Sequence, residues 1–476
     1  MTRPSLLIPL PLSMSYRTFP LLGAAALGLA CQLPIAQAQT AEDETDALGL
    51  EAPAMAPAPA KPVTPSARVP GQAPAANTAA PAAASAGAEA PSGAHRPDVR
   101  LLLEAAGSRL NYRDADSETG HRLTADLRGS WRLAPEWRAH LSNRYDHVKP
   151  DADGGSGGTN SLRELYAAWS AADGSGSAEI GRVNLRQGTA WGWNPTDFLR
   201  TDAERLQISP DPIARRDSRL GTAVLRVQRP WRDGSWSLAW APKLADAPSD
   251  RRWSADLGST NARHALLATA DVRWSSRVSG QFSGYVRDGR AAQLGLSASA
   301  LAGPATTVHG EAAWGRDTDM AARFGLNAQR ERRQALRAVA GLSHTLPAGT
   351  QVTFEGHYNG FAPAGAGWRD AVRQSSTTAQ VLPYLSVSDA RQDPATREAL
   401  FAYVTHKDLG LRGLSLTGLV KYTVADHSRL GWVELRYEQG DWSTALQWLQ
   451  TAGRRDSEYG IVPLHRSVQL VGGLHF

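Results

Sequence analysis

Val468-Gln469-Leu470-Val471-Gly472-Gly473-Leu474-His475-Phe476 alternates apolar residues with mostly polar or small ones. A two-residue repeat is the mark of a β-strand with one apolar face. Here that face is Val468, Leu470, Gly472, Leu474 and Phe476. The same alternation recurs, with little interruption, from residue 98 onward. In 122–133, Leu123, Ala125, Leu127, Gly129, Trp131 and Leu133 interleave with Arg122, Thr124, Asp126, Arg128, Ser130 and Arg132. Runs at 278–287, 308–314, 352–359, 414–423 and 433–438 repeat it. Trp137, Trp169, Trp236, Trp314, Tyr358, Tyr437 and Trp442 fall near strand ends, where amphipathic rings favour the headgroup level of a bilayer.

The spacing of the breaks is an independent signal. Alternate connections are short, as at Ala134-Pro135-Glu136, Ser275-Ser276, Gly303-Pro304-Ala305 and Gly440-Asp441. The intervening ones are mostly long, as at 188–218, 242–261, 317–333 and 360–397. Short turns at one end and long loops at the other predict a transmembrane antiparallel β-barrel of about 18 strands, with 16–18 as the range. The fold class is therefore all-β, with the barrel over 98–476. The final strand resembles the insertion signal of bacterial outer-membrane barrels. On that resemblance Val468, Leu470, Leu474 and Phe476 are the expected assembly signal and the barrel-assembly machinery an expected partner, with outer-membrane lipid around the wall.

Two further segments precede the barrel. Arg3 and Arg17, an alanine-rich apolar run, and Ala36-Gln37-Ala38 follow the order of a cleaved secretory signal peptide over 1–38. Met14 is an alternative start. Residues 39–97 are first acidic and then dominated by alanine and proline, a composition too poor in apolar bulk to fold. This segment reads as a disordered periplasmic tether, either a spacer or an arm for a periplasmic partner. Cys31, the only cysteine, opens a lipoprotein reading, although the leucine usual in such signals is missing before it. Past it the chain has no thiol for a disulfide or a thiolate metal site.

Mean hydropathy is −0.35, as expected where one strand face in two is polar. There are 51 Lys and Arg against 46 Asp and Glu, a net charge of +5. Opposite the apolar face, the expected pore-lining residues are Arg128, Arg132, Arg138, Arg144, Arg182, Asn184, Arg186, Arg226, Arg337, Lys421 and Arg436. Asp126, Glu164, Asp271, Glu311, Glu355, Glu434 and Glu438 are expected inward as well. Basic rings in a low-dielectric passage attract anions, and arginine grips carboxylates through two parallel bonds. Pairing of these arginines with the inward acids is the competing reading.

The stretch from Gly181-Arg182 through Gly188 to Asn194-Pro195-Thr196-Asp197 resembles the G-R…G…N-P-x-D signature of a little-characterised group of proteobacterial outer-membrane barrels. The wider layout is similar to the alginate-export barrels, which implies an 18-strand channel with an arginine-rich lumen. Gln187 stands where that signature usually has tryptophan. The motif puts Arg182, Asn184 and Arg186 on one face, inward if Val183 and Leu185 meet lipid. Trp191, Trp193, Asn194 and Asp197, with Trp368 of a second loop, are the expected constriction.

The expected function is an outer-membrane channel for anionic or polar solutes, such as carboxylates or an acidic polysaccharide. The alternative is a non-conducting barrel that binds a surface polysaccharide or is structural. Enzymatic activity is not expected. His357-Tyr358-Asn359-Gly360 superficially matches outer-membrane phospholipases, but Asn359 stands where their serine would. No cofactor or metal is expected, since the histidines lack metal-ligand spacing. Nor is nucleic acid, because the basic residues are spread through the strands. A monomer is expected, as no face of the wall is marked as non-lipid.

Overall fold

The computed structural model describes residues 98–149, 157–326, 332–373 and 378–476. The expected signal segment, Cys31 and the tether lie outside the described residues. Eighteen strands run in chain order. They are β1 (Asp98–Tyr112), β2 (Glu118–Ala134), β3 (Trp137–Lys149), β4 (Gly157–Ser170), β5 (Ser177–Val183) and β6 (Thr222–Trp231). Next come β7 (Gly234–Ala241), β8 (Ala265–Arg273), β9 (Val278–Arg287), β10 (Gln293–Leu301), β11 (Thr306–Thr318) and β12 (Arg332–Thr345). The last are β13 (Gln351–Asn359), β14 (Glu398–His406), β15 (Leu414–Thr423), β16 (Arg429–Gln439), β17 (Trp442–Ala452) and β18 (Leu464–His475). Each pairs antiparallel with its neighbour in sequence, and β18 pairs with β1 from Leu102 opposite His475 to Tyr112 opposite Leu464. The sheet is a closed 18-strand barrel, as the alternation and break spacing indicate.

The outer wall carries the apolar stripe. Leu123, Leu225, Leu294, Phe354, Leu400, Leu446 and Leu470 are exposed on it, with Trp137, Trp236, Trp314 and Trp442. On β18 the outward positions from Val468 to Phe476 span about 20 Å along the barrel axis, at ~3.4 Å per residue and a ~40° tilt. That approaches the ~25 Å apolar band of membrane barrels.

Two strands depart from the simple reading. In β4, Ser142 faces Glu164 and Asn143 faces Leu162, so Arg163 is an extra residue in a bulge. A bulge lets two consecutive side chains point the same way, and Arg163 turns inward to pair with Asp126. In β5 the lipid-facing residue is Ile180, 58% exposed, which sets the opposite parity to the one expected. Val183 packs inside with Phe198, Val224 and Tyr285, and Arg182 stands opposite outward-facing Leu165. Gly181 between them has φ +132°, and a Cβ there would strike the Leu165 carbonyl.

Among the described residues the long loops hold six helices: α1 (Pro212–Ser218), α2 (Leu257–Thr260), α3 (Met320–Arg323), α4 (Gly365–Arg373), α5 (Thr378–Ala390) and α6 (Glu458–Ile461). Pro212 opens α1 and Asp211 caps it, its carboxylate accepting from Ile213 N, an arrangement that satisfies an otherwise orphan donor. Residues of 321–326, 368–372, 381–395, Ala425 and 461–462 pack together around Trp368, Val381 and Tyr384, all nearly inaccessible. They form an apolar core at the long-loop end.

Candidate functional site in the lumen

The β5–β6 loop, 184–221, folds into the barrel and is fastened to two inward carboxylates. Glu311 of β11 accepts from Thr189 N at 2.6 Å, Ala190 N at 2.7 Å, Asn194 Nδ2 at 2.8 Å and Thr196 Oγ1 at 2.7 Å. Glu355 of β13 accepts from Trp191 N at 2.6 Å and Gly192 N at 2.9 Å. His309 and His357 bond the same carboxylate at 2.8 and 2.9 Å. The loop can lie this close only because Gly188 has φ +92° and no Cβ to strike Glu311. Backbone N–H groups aimed at buried carboxylates form strong, charge-assisted bonds.

The same loop is braced along its length. Arg219 donates to Asp197 at 2.8 Å, and Asn184 donates to the Arg216 carbonyl at 2.9 Å. Asp217 of α1 accepts from Arg128 at 2.7 Å and from Arg186 at 3.1 Å. These guanidinium groups hold the Asp217 carboxyl well below its usual range despite its burial. Trp193, 4% exposed, donates to Asp393 at 3.3 Å and lies under Arg200. Arg200, then Arg391 and Arg337, draw the Asp393 carboxyl down to about 2 against the opposing effect of burial. Trp191 tilts against Tyr403, ring centroids 5.5 Å apart.

Of the eleven residues expected to line a pathway, Arg128, Arg144, Arg186, Arg226 and Arg436 are inward and ion-paired. Arg144 bonds Asp146 at 2.7 Å within a fully buried cluster that joins Glu104, Arg122, Asp126 and Arg163. Arg226 pairs with Glu179 at 3.1 Å, and Arg436 with Glu434 at 2.9 Å. Arg337 donates to Gln293 at 2.6 Å and sits over Phe361. Arg132 and Arg138 face each other across the β2–β3 ladder next to the short turn, both exposed. Trp368, expected in a constriction, is instead 0% exposed in the apolar loop core, donating to Asp426 at 2.7 Å.

Arg182 requires correction. Its guanidinium is spent on the Gly221 carbonyl at 2.7 Å, Thr260 Oγ1 at 3.3 Å and the Ala255 carbonyl. It therefore anchors the β7–β8 loop over an outward position of the wall. Arg163 is the converse, inward and missed, because strict alternation after Leu165 assigns it to the lipid face.

Lys421 borders a cavity. It projects from β15 into this space of about 160 Å³, bounded by Trp193 and Arg215 of the inner loop, segment 385–396, the β13–β17 wall and Glu458. Among the described residues its ammonium has no ion-pair partner. Burial and the neighbouring Asp426 push the Glu458 carboxyl up to about 7, against the hydrogen bond donated by Thr423. His357 stacks on Phe401 and has no nucleophile beside it. Among the described residues no cluster of His, Cys, Asp and Glu would hold a metal.

No protein-family model matches this sequence, and no curated protein matches it. Among solved structures it is similar to Pseudomonas aeruginosa OccK8 (OprE), at 9% identity and TM-score 0.49, over 80% of this chain and 98% of that one. Acinetobacter baumannii OccAB1 matches at 8% identity and TM-score 0.48, over 80% and 96% of the two chains. P. aeruginosa OccK2 (OpdF), solved in complex with glucuronate, matches at 11% identity and TM-score 0.49, also over 80% and 96%.

Proposed function

We propose that the chain is an outer-membrane channel that passes small anionic or polar solutes through a loop-constricted lumen. The observation that carries this reading is the inner loop fastened on Glu311 and Glu355, with the unpaired ammonium of Lys421 in the cavity beside it. A water-filled barrel narrowed by an inward loop sorts solutes by size, and a cation held outside any ion pair in a low-dielectric wall attracts anions. Arg132 and Arg138 give the short-turn mouth the same sign. Arg128, Arg144, Arg163, Arg186, Arg226 and Arg436 are instead neutralised by their acids. Selectivity then rests on Lys421, Arg132 and Arg138, not on an arginine-lined path, and small carboxylates suit the cavity better than a polysaccharide chain.

β1 begins and β18 ends at the short-turn end, which in membrane barrels is the periplasmic side. There β18 presents the assembly strand, and a tether over 39–97 would reach a periplasmic partner. The wall is apolar on every side, so a monomer belongs to the proposal. The test is single-channel conductance and reversal potential in a planar bilayer under a salt gradient. Anion selectivity that falls in Lys421→Gln and in the Arg132→Gln, Arg138→Gln double variant supports the reading. A cation-selective pore refutes it. The loop core around Trp368 favours the second reading, a capped barrel that binds a surface polysaccharide. A silent barrel that retains an acidic oligosaccharide would establish that one.

A further inference from the structure

The outward positions of the strands carry very few charges, and those few are distributed unevenly. At the long-loop end the outward exposed residues include Arg109 of β1, Lys149 of β3, Arg316 of β11, Arg332 of β12, Arg429 of β16 and Arg466 of β18. Among the described strand positions one outward acid, Glu398 of β14, shares that rim. At the short-turn end the strands place one outward cation, Arg229 of β6, beside Trp236. Parity fixes these assignments. Arg109 precedes Leu110, buried inside, and Arg466 stands opposite outward Asn111 and Gln450.

Height matters as much as sign. Arg466 is the outward position immediately before Val468 in the run Val468, Leu470, Leu474 and Phe476, so it sits one step beyond the apolar band. Arg429 lies two outward positions beyond Val433 and Leu435, with Gly431 between. Between them and β4 the rim is continued by the β7–β8 loop, which folds back over the outside. Asn160 N donates to the Arg252 carbonyl at 2.9 Å, and Trp253, 69% exposed, stacks on outward Tyr145 with centroids 4.9 Å apart. Arg251 and Arg252 are exposed beside that ring, and neither is ion-paired among the described residues.

We infer that this rim, above all the arc from Arg429 through Arg466 and Arg109 to Arg251 and Arg252, binds phosphorylated glycolipid headgroups of the outer leaflet. Guanidinium forks match phosphate oxygens, and an amphipathic ring at the headgroup level anchors the wall at that depth. The inference rests on the membrane-spanning reading but not on conduction.

The experiment is flotation of the purified full chain with two sets of phosphatidylcholine vesicles, followed by native mass spectrometry of the lipid retained. One set contains a hexa-acylated diglucosamine lipid bearing two phosphomonoesters, and the other contains the same lipid with its phosphates removed. The phosphorylated lipid is expected to be retained and the dephosphorylated one lost. The Arg109→Gln, Arg429→Gln, Arg466→Gln variant should lose retention by about fivefold per guanidinium removed, while Arg229→Gln retains as the parent does. Conductance should be unchanged in both. Flotation with no preference for the phosphorylated lipid overturns this inference alone. Failure to enter any vesicle overturns the membrane reading beneath it.

Discussion

Replacing Glu311 by glutamine should release the inner loop and widen the lumen while leaving the wall intact. Four of the carboxylate's contacts lie between 2.6 and 2.8 Å, and their donors are Thr189 N, Ala190 N, Asn194 Nδ2 and Thr196 Oγ1. At ~1.5–3 kcal/mol for a bond to a charged group, they amount to about 6–12 kcal/mol. Glutamine can keep one oxygen on Thr189 N, Ala190 N and Asn194 Nδ2. Its bonds are no longer charge-assisted, however, and fall to ~0.5–1.5 kcal/mol each, so about half of that total is lost if the loop stays put. The alternative is for residues 187–197 to leave, regaining roughly 1–2 kcal/mol of backbone freedom each and rehydrating their N–H groups. Release is the cheaper outcome. No ladder bond depends on the Glu311 side chain, so the heat-induced mobility shift of the folded barrel should remain. Single-channel conductance should rise by at least about twofold, as expected of an 18-strand lumen freed of its loop. Unchanged conductance, with the loop equally protected from protease on the long-loop side, would refute the argument that the two carboxylates hold the constriction.

Three further outcomes are expected. Gly181→Ala should destabilise the barrel by about 1–3 kcal/mol in a urea titration, because φ +132° admits no Cβ beside the Leu165 carbonyl; an unchanged midpoint would show that β5 relaxes freely. Glu458 binds its proton more tightly when folded, so its contribution to stability is full below about pH 4.5 and is lost as pH rises to about 7. Cleavage in the 453–463 loop should therefore accelerate across that window and become pH-independent in Glu458→Gln. Lys421→Gln should weaken the block of anion current by a small monocarboxylate, measured by titration in the bilayer, without altering conductance by more than about twofold; an unaltered block would remove Lys421 from the route.

The wall was the legible part of this protein. Lipid demands an apolar residue at every second position and tight turns at one rim, and both requirements are local, so strand number and turn positions could be read directly. What the sequence concealed depends on single residues that shift the parity. Arg163 is hidden by a bulge, and Arg182 is misplaced because Ile180, not Val183, meets lipid. The inner loop was expected to narrow the pore, and Trp191, Trp193, Asn194 and Asp197 do lie in it. Glu311 and Glu355 were expected inward, yet their partners lie far away in sequence, so their role as fasteners left no local trace. The same holds for Lys421, whose isolation is defined by which acids fail to reach it.

The β1–β18 seam sets the order in which such a molecule can form. Every other ladder joins strands adjacent in sequence, so hairpins can add one after another at little loop-closure cost. The seam alone brings Leu102 beside His475 and Leu103 beside Leu474, and nothing short of the whole curved sheet delivers them to each other. It also carries a register shift between Asn111 and Tyr112. Closure thus comes after the sheet has formed, and until it occurs both edge strands expose a full row of unpaired backbone groups. A chaperone or assembly partner that shields those two edges would act on that closing step.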